Sequence, residues 1–526
     1  MTACSPLERV IEFFSDDGTG YIFKISLPDD PEILDPQIAS DENSIAILEN
    51  MFVGLLRQGS DGTITTAGAE DYTISADGLT YTFYLDERYA WKTAGDWEGS
   101  VTAYDYEFAF RRLFDKETGS PYASDYFSIL NSEAAYNGEI ELTEIGVHAI
   151  DDYTLVITLE YPNAEFLSLL TRLPASPCNE EFFESCKGKY GLESECIASN
   201  GAFYVRYWLH EEYGSDNYVR LRRNDYYCEF NDVYPYGVNY LIESYDAVRL
   251  SDFTDGTTDV YISSTFDSAL EESEYQSYSV YFCGLVINPD NEILSRTEVG
   301  EIISLAINRE VLDSETPDIL DSAYGIIPTD AYVGSSNYRK NANSSLDEFL
   351  TYNEQLAKYK WSFTLTDSEK RNITGMKIMV PDTFEYTDYL SLVTDMLNDT
   401  LGISIGIDIV NESDYETRLA SGDYDICLVE IESTSGSAFD YIEAFSDGSY
   451  GITNEICAEA VENSGKYSTL SAAIYAISEA EKDVISSYQC IPLWYAQKFV
   501  FTADDVSGLA YDVFSGAAIF ELVKKL

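Results

Sequence analysis

Between Asp77 and Phe114 the apolar residues change their period, and the change predicts the local structure. Asp77-Gly78 is a turn dipeptide that tolerates positive φ. After it Leu79, Tyr81, Phe83 and Leu85 alternate at period two, the pattern of a half-buried strand. Trp91 marks a second short run, and the two together predict a hairpin. Thr102 then suits a helix N-cap. Tyr106, Ala109, Phe110 and Leu113 recur at spacings of three and four, so an amphipathic helix is expected, ending near Arg111-Arg112. Further strand-like runs lie at 21–27 and 153–159, and helical patterns at 44–56, 299–308, 386–401 and 470–488. Strands and helices mix without a strict βαβ rhythm, which predicts an α/β or α+β class. No internal repeat or low-complexity block interrupts the pattern.

Length and charge narrow the picture. The 526 residues suffice for roughly three domains, and 45% hydrophobic residues can fill sizeable cores. No run approaches the ~20 apolar residues that a spanning helix needs. Asp and Glu number 93 against 31 Lys and Arg, a formal net charge of -62. Such a chain is repelled by phosphate backbones and anionic lipid, so nucleic-acid binding is excluded. A surplus on this scale reads first as a strongly solvated surface and second as attraction for cationic ligands.

The chain has nine cysteines. Cys4 follows Thr2-Ala3 and precedes Ser5, like the tail of a bacterial lipobox whose charged and apolar parts are absent here. Cys4 is therefore the expected lipidation site of a precursor. No C-x2-C pair occurs, and only His148 and His210 are present, so a structural zinc site is not expected. Cys178, Cys186, Cys196 and Cys228 are near enough in sequence to permit a disulfide. Cys427 and Cys490 lie in apolar runs and suit buried thiols.

The order of residues adds a resemblance. DGLTYTFYLDERYAWKTAGDWEGSVTAYDYEFAFRRLF, residues 77–114, is similar to the DGLTYTFxLRxxxxWxDGxPxTAxDxxxAFxRLxD stretch of extracellular solute-binding proteins of the peptide/nickel class, the oligopeptide-binding family. Upstream, Leu34-Asp35-Pro36 and Asn50-Met51-Phe52-Val53-Gly54-Leu55 resemble its LDP and NLFEGL. Downstream come Ser120-Pro121-Tyr122-Ala123-Ser124, Asn200-Gly201-Ala202-Phe203 with Trp208, and Arg223-Asn224. Ala306-Ile307-Asn308-Arg309, Ile327-Pro328 and Ile491-Pro492-Leu493-Trp494-Tyr495 complete the series over about 460 residues.

The resemblance implies a two-lobed periplasmic-binding-protein-like α/β fold of type II, with an extra inserted domain and a hinge of two crossing strands. On this numbering a tether would occupy 1–17. Lobe one would comprise 18–56, 170–283 and 492–526, the inserted domain 57–169, and lobe two 284–491. The crossings are expected near Cys283 and Pro492. The implied function is capture of peptides or peptide-like, in one reading cationic, ligands in the interlobe cleft. Delivery to a permease and ATPase would follow, with the protein lipid-anchored outside the cytoplasmic membrane or periplasmic. No cofactor is implied, and no catalysis.

Matching positions give candidate ligand contacts: Ser40, Asp41 and Glu42 after LDP, Tyr122 of the SPYAS match, and Glu430, Ile431 and Glu432. Where the family places an Asp that anchors the peptide ammonium, this chain has Thr434. The family's tryptophan aligns with Ile431, and a ligand-facing Arg aligns near Leu428. Residues two apart on a strand share a face, so Glu432, with Glu430 or Glu412, is a candidate for the missing negative charge.

Other readings stay open. The same scaffold serves oligosaccharides and metal chelates, and 43 tyrosines with 5 tryptophans make sugar stacking conceivable. A carboxylate-dependent hydrolase is a further alternative, although paired carboxylates carry little information at this acidic density. No G-x-S-x-G elbow and no G-x-x-x-x-G-K-[ST] loop occurs, so His-assisted acyl transfer and ATP hydrolysis are not expected of this chain. A sensor or adhesin retaining the scaffold is the third class.

Overall fold

The computed structural model describes residues 20–211, 217–316, 319–342, 345–384, 386–433 and 435–526. Cys4 and the expected tether lie outside them. An eleven-stranded mixed sheet runs through the molecule. Along it the order is Phe203–Leu209, Tyr218–Arg223, Gly237–Ile242, Ile22–Leu27, Val260–Ser263, Cys490–Thr502, Glu274–Ile287, Ile426–Glu432, Lys377–Pro381 and Gly406–Val410, with Leu320–Ser322 paired to Cys490–Thr502. The two long strands at its centre join two separately cored halves. One large core draws on residues 23–260 and 500–523, with Tyr332 its one member from elsewhere among the described residues. Two further clusters draw wholly on residues 280–496. They lie on opposite faces of the sheet because alternate side chains point opposite ways: Cys283, Leu285 and Ile287 enter one, Phe282 and Val286 the other.

Where the strands pass between halves, their pairing is irregular. Ser279 pairs with Gln497 and Tyr281 with Ala496, so Val280 is an extra residue without a partner. Its neighbourhood is satisfied from the second half. Asp330 accepts from the Ser279 N–H at 2.8 Å, and the Tyr441 hydroxyl donates to the Val280 carbonyl at 2.5 Å. A bulge whose freed polar groups are bonded by side chains keeps the backbone paired while letting it bend there.

The smaller elements largely follow the apolar pattern. Thr80–Leu85 buries Tyr81, Phe83 and Leu85, and Thr102 caps the helix Ala103–Phe114. Gly78 takes φ +72° in the preceding turn, which any side chain would strain. The expected hairpin between this strand and the Trp91 run is not formed. Thr80–Leu85 instead pairs with Ala69–Ile74 and Thr154–Thr158, while Ala90–Thr93 joins Glu98–Ser100 and Ala198–Ser199 in a separate sheet. The helix expected over 44–56 stops at Leu48. Met51, Phe52, Val53, Leu55 and Leu56 are all buried, a continuous run that no single helix face can accommodate. The eight described cysteines, Cys178, Cys186, Cys196 and Cys228 included, are free thiols. No helix among the described residues is long and apolar enough to cross a membrane.

The motif residues have structural work. Asn200 pairs with Val53 through both N–H and C=O, at 3.0 and 2.8 Å. The Asn50 amide donates to the Ala518 carbonyl at 2.8 Å and accepts from the Phe520 N–H at 2.9 Å, tying the chain's two ends. Asp105 accepts from Trp91 Nε1, the Thr102 N–H and Asn179 Nδ2. Arg309, 3% exposed, donates to the carbonyls of Ala323, Leu350 and Pro492. Arg112 is buried against Asp35 at 2.5 and 3.1 Å and donates to Gln37 at 2.7 Å.

Breaking one side of such a buried pair strands the other charge in low dielectric. Arg112→Met should therefore cost about 3–5 kcal/mol in urea unfolding, and adding Asp35→Asn should recover part of that loss. A cost under about 1 kcal/mol for Arg112→Met would contradict the assigned role.

Candidate ligand cleft

Between the halves lies a cavity of about 1130 Å³. This exceeds the ~300–1,000 Å³ usual for small-molecule sites. One wall comes from the first half through Ser40, Glu49, Arg57, Tyr122, Asp125, Glu165, Arg172 and Asp512; the other comes from Glu432, Ser435, Ser437, Phe439, Asp440 and Glu443. The halves hydrogen-bond to each other beside it. Gln58 Nε2 donates to the Gly334 carbonyl at 3.0 Å, Tyr332 to the Ser60 carbonyl at 3.1 Å, and the Ala164 N–H to the Tyr467 carbonyl at 2.8 Å. Gly436, at φ +67°, lets the second half approach Phe514: a Cβ there would sit 2.9 Å from the ring.

The sequence-derived candidates divide. Ser40, Tyr122 and Glu432 line the cavity. Tyr122 is anchored by its hydroxyl, which donates to the Ala39 carbonyl at 2.7 Å. Asp41 instead caps the helix Glu42–Leu48 through the Ser44 N–H, and Glu42 is exposed in that helix's first turn. Ile431 is 5% exposed within an apolar cluster, because it points to the face opposite Glu430 and Glu432. Glu430 is exposed, outside the cavity lining, and Glu412 accepts from the Thr383 hydroxyl, also away from it. Thr434 lies outside the described residues. Glu432 itself is engaged: its carboxylate is 3.5 Å from Lys498 Nζ, which donates to the Tyr281 hydroxyl at 3.0 Å. These three residues bridge the crossing strands and Ile426–Glu432, so Glu432 serves the hinge region as well as the cavity edge.

The electrostatics centre on residues that pattern reading did not find. Ten carboxylates and three cationic side chains line the cavity. Burial, followed by the facing Asp512, pushes the Glu49 carboxyl well above its ordinary range. Burial also pushes Glu165 up to about 7, Arg172 pulling it down and Asp440 pushing it further up. Asp125 is raised mainly by burial, opposed by Arg172 3.8 Å away and reinforced by Asp440. Asp440 Oδ2 accepts from the hydroxyls of Ser433 at 2.6 Å and Ser435 at 2.8 Å, the residues flanking position 434. Asp125, three residues after Tyr122, and Glu49, just before Asn50, stood near recognised motifs. Asp440 and Glu165 had no marker in the chain.

The comparisons with known proteins agree with this architecture. Residues 63–451 match the family model of bacterial extracellular solute-binding proteins, family 5. The dipeptide-binding protein DppE of Bacillus subtilis is 22% identical over 511 residues, covering 93% of this chain and 89% of that protein. Among solved structures, OppA of Listeria monocytogenes bound to peptide has a TM-score of 0.67 at 20% identity, covering 97% of this chain and 99% of that one. The unliganded open form of the murein tripeptide-binding protein MppA reaches 0.71 at 18% identity, with 97% and 98% coverage. These structures share the two-lobed fold.

A carboxyl whose folded pKa is raised destabilises the fold as pH climbs. For Glu165 the penalty is absent below the usual carboxylate range and grows to completion as pH passes about 7. Glu165→Gln should therefore raise the Tm more at about pH 8 than at about pH 5; an equal shift at both would contradict the assignment. With its family model spanning most of the sequence, this chain belongs to the bacterial extracellular solute-binding proteins of family 5.

Proposed function

We propose that this protein captures peptides in the interlobe cavity and delivers them to the permease and ATPase of an importer. Cys4, outside the described residues, would be its lipid attachment on the outer side of the membrane. The observation that carries the reading is the cavity itself: about 1130 Å³, walled by both halves of a chain joined by two strands. Space on this scale suits a guest of several residues rather than a single small metabolite. The dipeptide-binding and peptide-bound relatives support the same class. We retain the division into lobe one, an inserted domain at 57–169 and lobe two at 284–491 as the working description of the parts that move.

The chemistry required is reversible binding. A guest that contacts both walls favours the joined arrangement only by its extra affinity for it. Main-chain hydrogen bonds supply sequence-independent affinity, and ordered water adapts the side-chain spaces. No covalent step is needed, so we read the protein as a binder rather than an enzyme. Sugar stacking has less support, since the relatives named above are peptide binders.

Titration calorimetry on ligand-stripped protein tests this directly. Di- to pentapeptides should bind with Kd near about 1 μM, roughly -8 kcal/mol, while maltotriose and a nickel chelate should give no heat. Binding of the sugar or chelate without any peptide binding would overturn the proposal.

A further inference from the structure

The acidic excess of the cavity decides nothing alone. Ten carboxylates to three cations is close to the ratio of 93 to 31 in the whole chain. Placement is what carries information. Asp125 and Glu165 come from the half that contains the first core, whereas Asp440 and Glu443 come from the helix Ala438–Glu443 of the other half. They act on one another across the gap: Asp440 bears on Asp125 and Glu165, and Asp125 bears on Glu443. Arg172 is the cation among them, 3.8 Å from Asp125. Lys466 and Arg57 are the other cations lining the cavity.

Bringing the halves together therefore brings like charges toward one another across the cavity. Facing like charges in a partly enclosed space repel one another more strongly than they would in open water. A guest without positive charge leaves that repulsion in place. A cationic group between the two walls replaces it with attraction and can form charge-assisted hydrogen bonds to both. Asp440 is prepared for this. Both serine hydroxyls converge on Oδ2, fixing the carboxylate's orientation without supplying a positive charge.

We infer that the guest carries at least one ammonium or guanidinium group beyond what a neutral peptide offers, held between Asp125 and Glu165 on one wall and Asp440 and Glu443 on the other. The inference rests on the cavity being the ligand site and adds the guest's charge. Glu432 sits at the cavity edge, paired to Lys498 of the crossing strand. Closure is then biased by charge: a cation between the walls makes the joined arrangement more favourable.

The test is calorimetry with four probes at equal ionic strength: Lys-Lys-Lys, Ala-Ala-Ala, N-acetyl-Ala-Ala-Ala and spermidine. Lys-Lys-Lys should bind at least about tenfold tighter than Ala-Ala-Ala, with the preference shrinking in high salt; N-acetyl-Ala-Ala-Ala isolates the share of the terminal ammonium. Asp125→Asn and Asp440→Asn should each bring the ratio below about threefold while keeping a normal Tm. Asp423→Asn, at a carboxylate 82% exposed in the pair with Arg418, should leave it unchanged. Equal affinity for Lys-Lys-Lys and Ala-Ala-Ala, or a ratio that survives both cavity variants, would overturn the inference and leave the peptide reading intact. Binding of spermidine but of no peptide would do the reverse. Silence from all four would remove both.

Discussion

The structure depends on one interaction, the antiparallel pairing of Glu274–Ile287 with Cys490–Thr502. Each core is built on one end of this ribbon. The Val260–Ser263 strand joins at 499–502, and Ile426–Glu432 joins at 281–287. Because the ladder is continuous, the halves cannot separate. Because it carries a bulge at Val280, they need not be fixed in one relative orientation. The side chains that satisfy the bulge, Asp330 and Tyr441, belong to the second half and travel with it. Bending there repacks neither core, since the apolar clusters on the two sides share almost no residues.

This frame explains why charge on the cavity walls bears on function. Two independently stable bodies meet only if their facing surfaces, with whatever lies between, favour contact. The direct contacts include the hydrogen bonds of Gln58 to Gly334, Tyr332 to Ser60, Tyr386 to Ser264 and Ala164 to Tyr467. Each such neutral hydrogen bond contributes only about 1 kcal/mol net. The balance is thus close, and a bound guest can decide it.

Much of the fold was legible because the motifs that carry the family resemblance are scaffold. Asn50 and Asn200 splice segments hundreds of residues apart, Asp105 seats Trp91 and the helix that follows, and Arg309 gathers three backbone carbonyls. Such contacts tolerate few other residue types, so their order along the chain is recognisable. Alternation correctly marked the buried side of Thr80–Leu85 but could not name its partners, since pairing is a long-range choice. The site was legible only in part. Ser40, Tyr122 and Glu432 do reach the cavity, whereas Ile431 falls on the other face of its strand. Asp440 escaped notice because a carboxylate delivered by a helix after a turn has no period and no motif, and in a chain with 93 acidic residues it has no distinguishing neighbours.

The central claim is that two bodies on a bending pair of strands enclose a guest. Small-angle X-ray scattering of ligand-stripped protein, repeated with a saturating tight-binding peptide, measures it most directly. The account predicts a radius of gyration that falls on binding and returns when the peptide is removed. Scattering curves that superimpose throughout, with binding confirmed in the same samples, would contradict it.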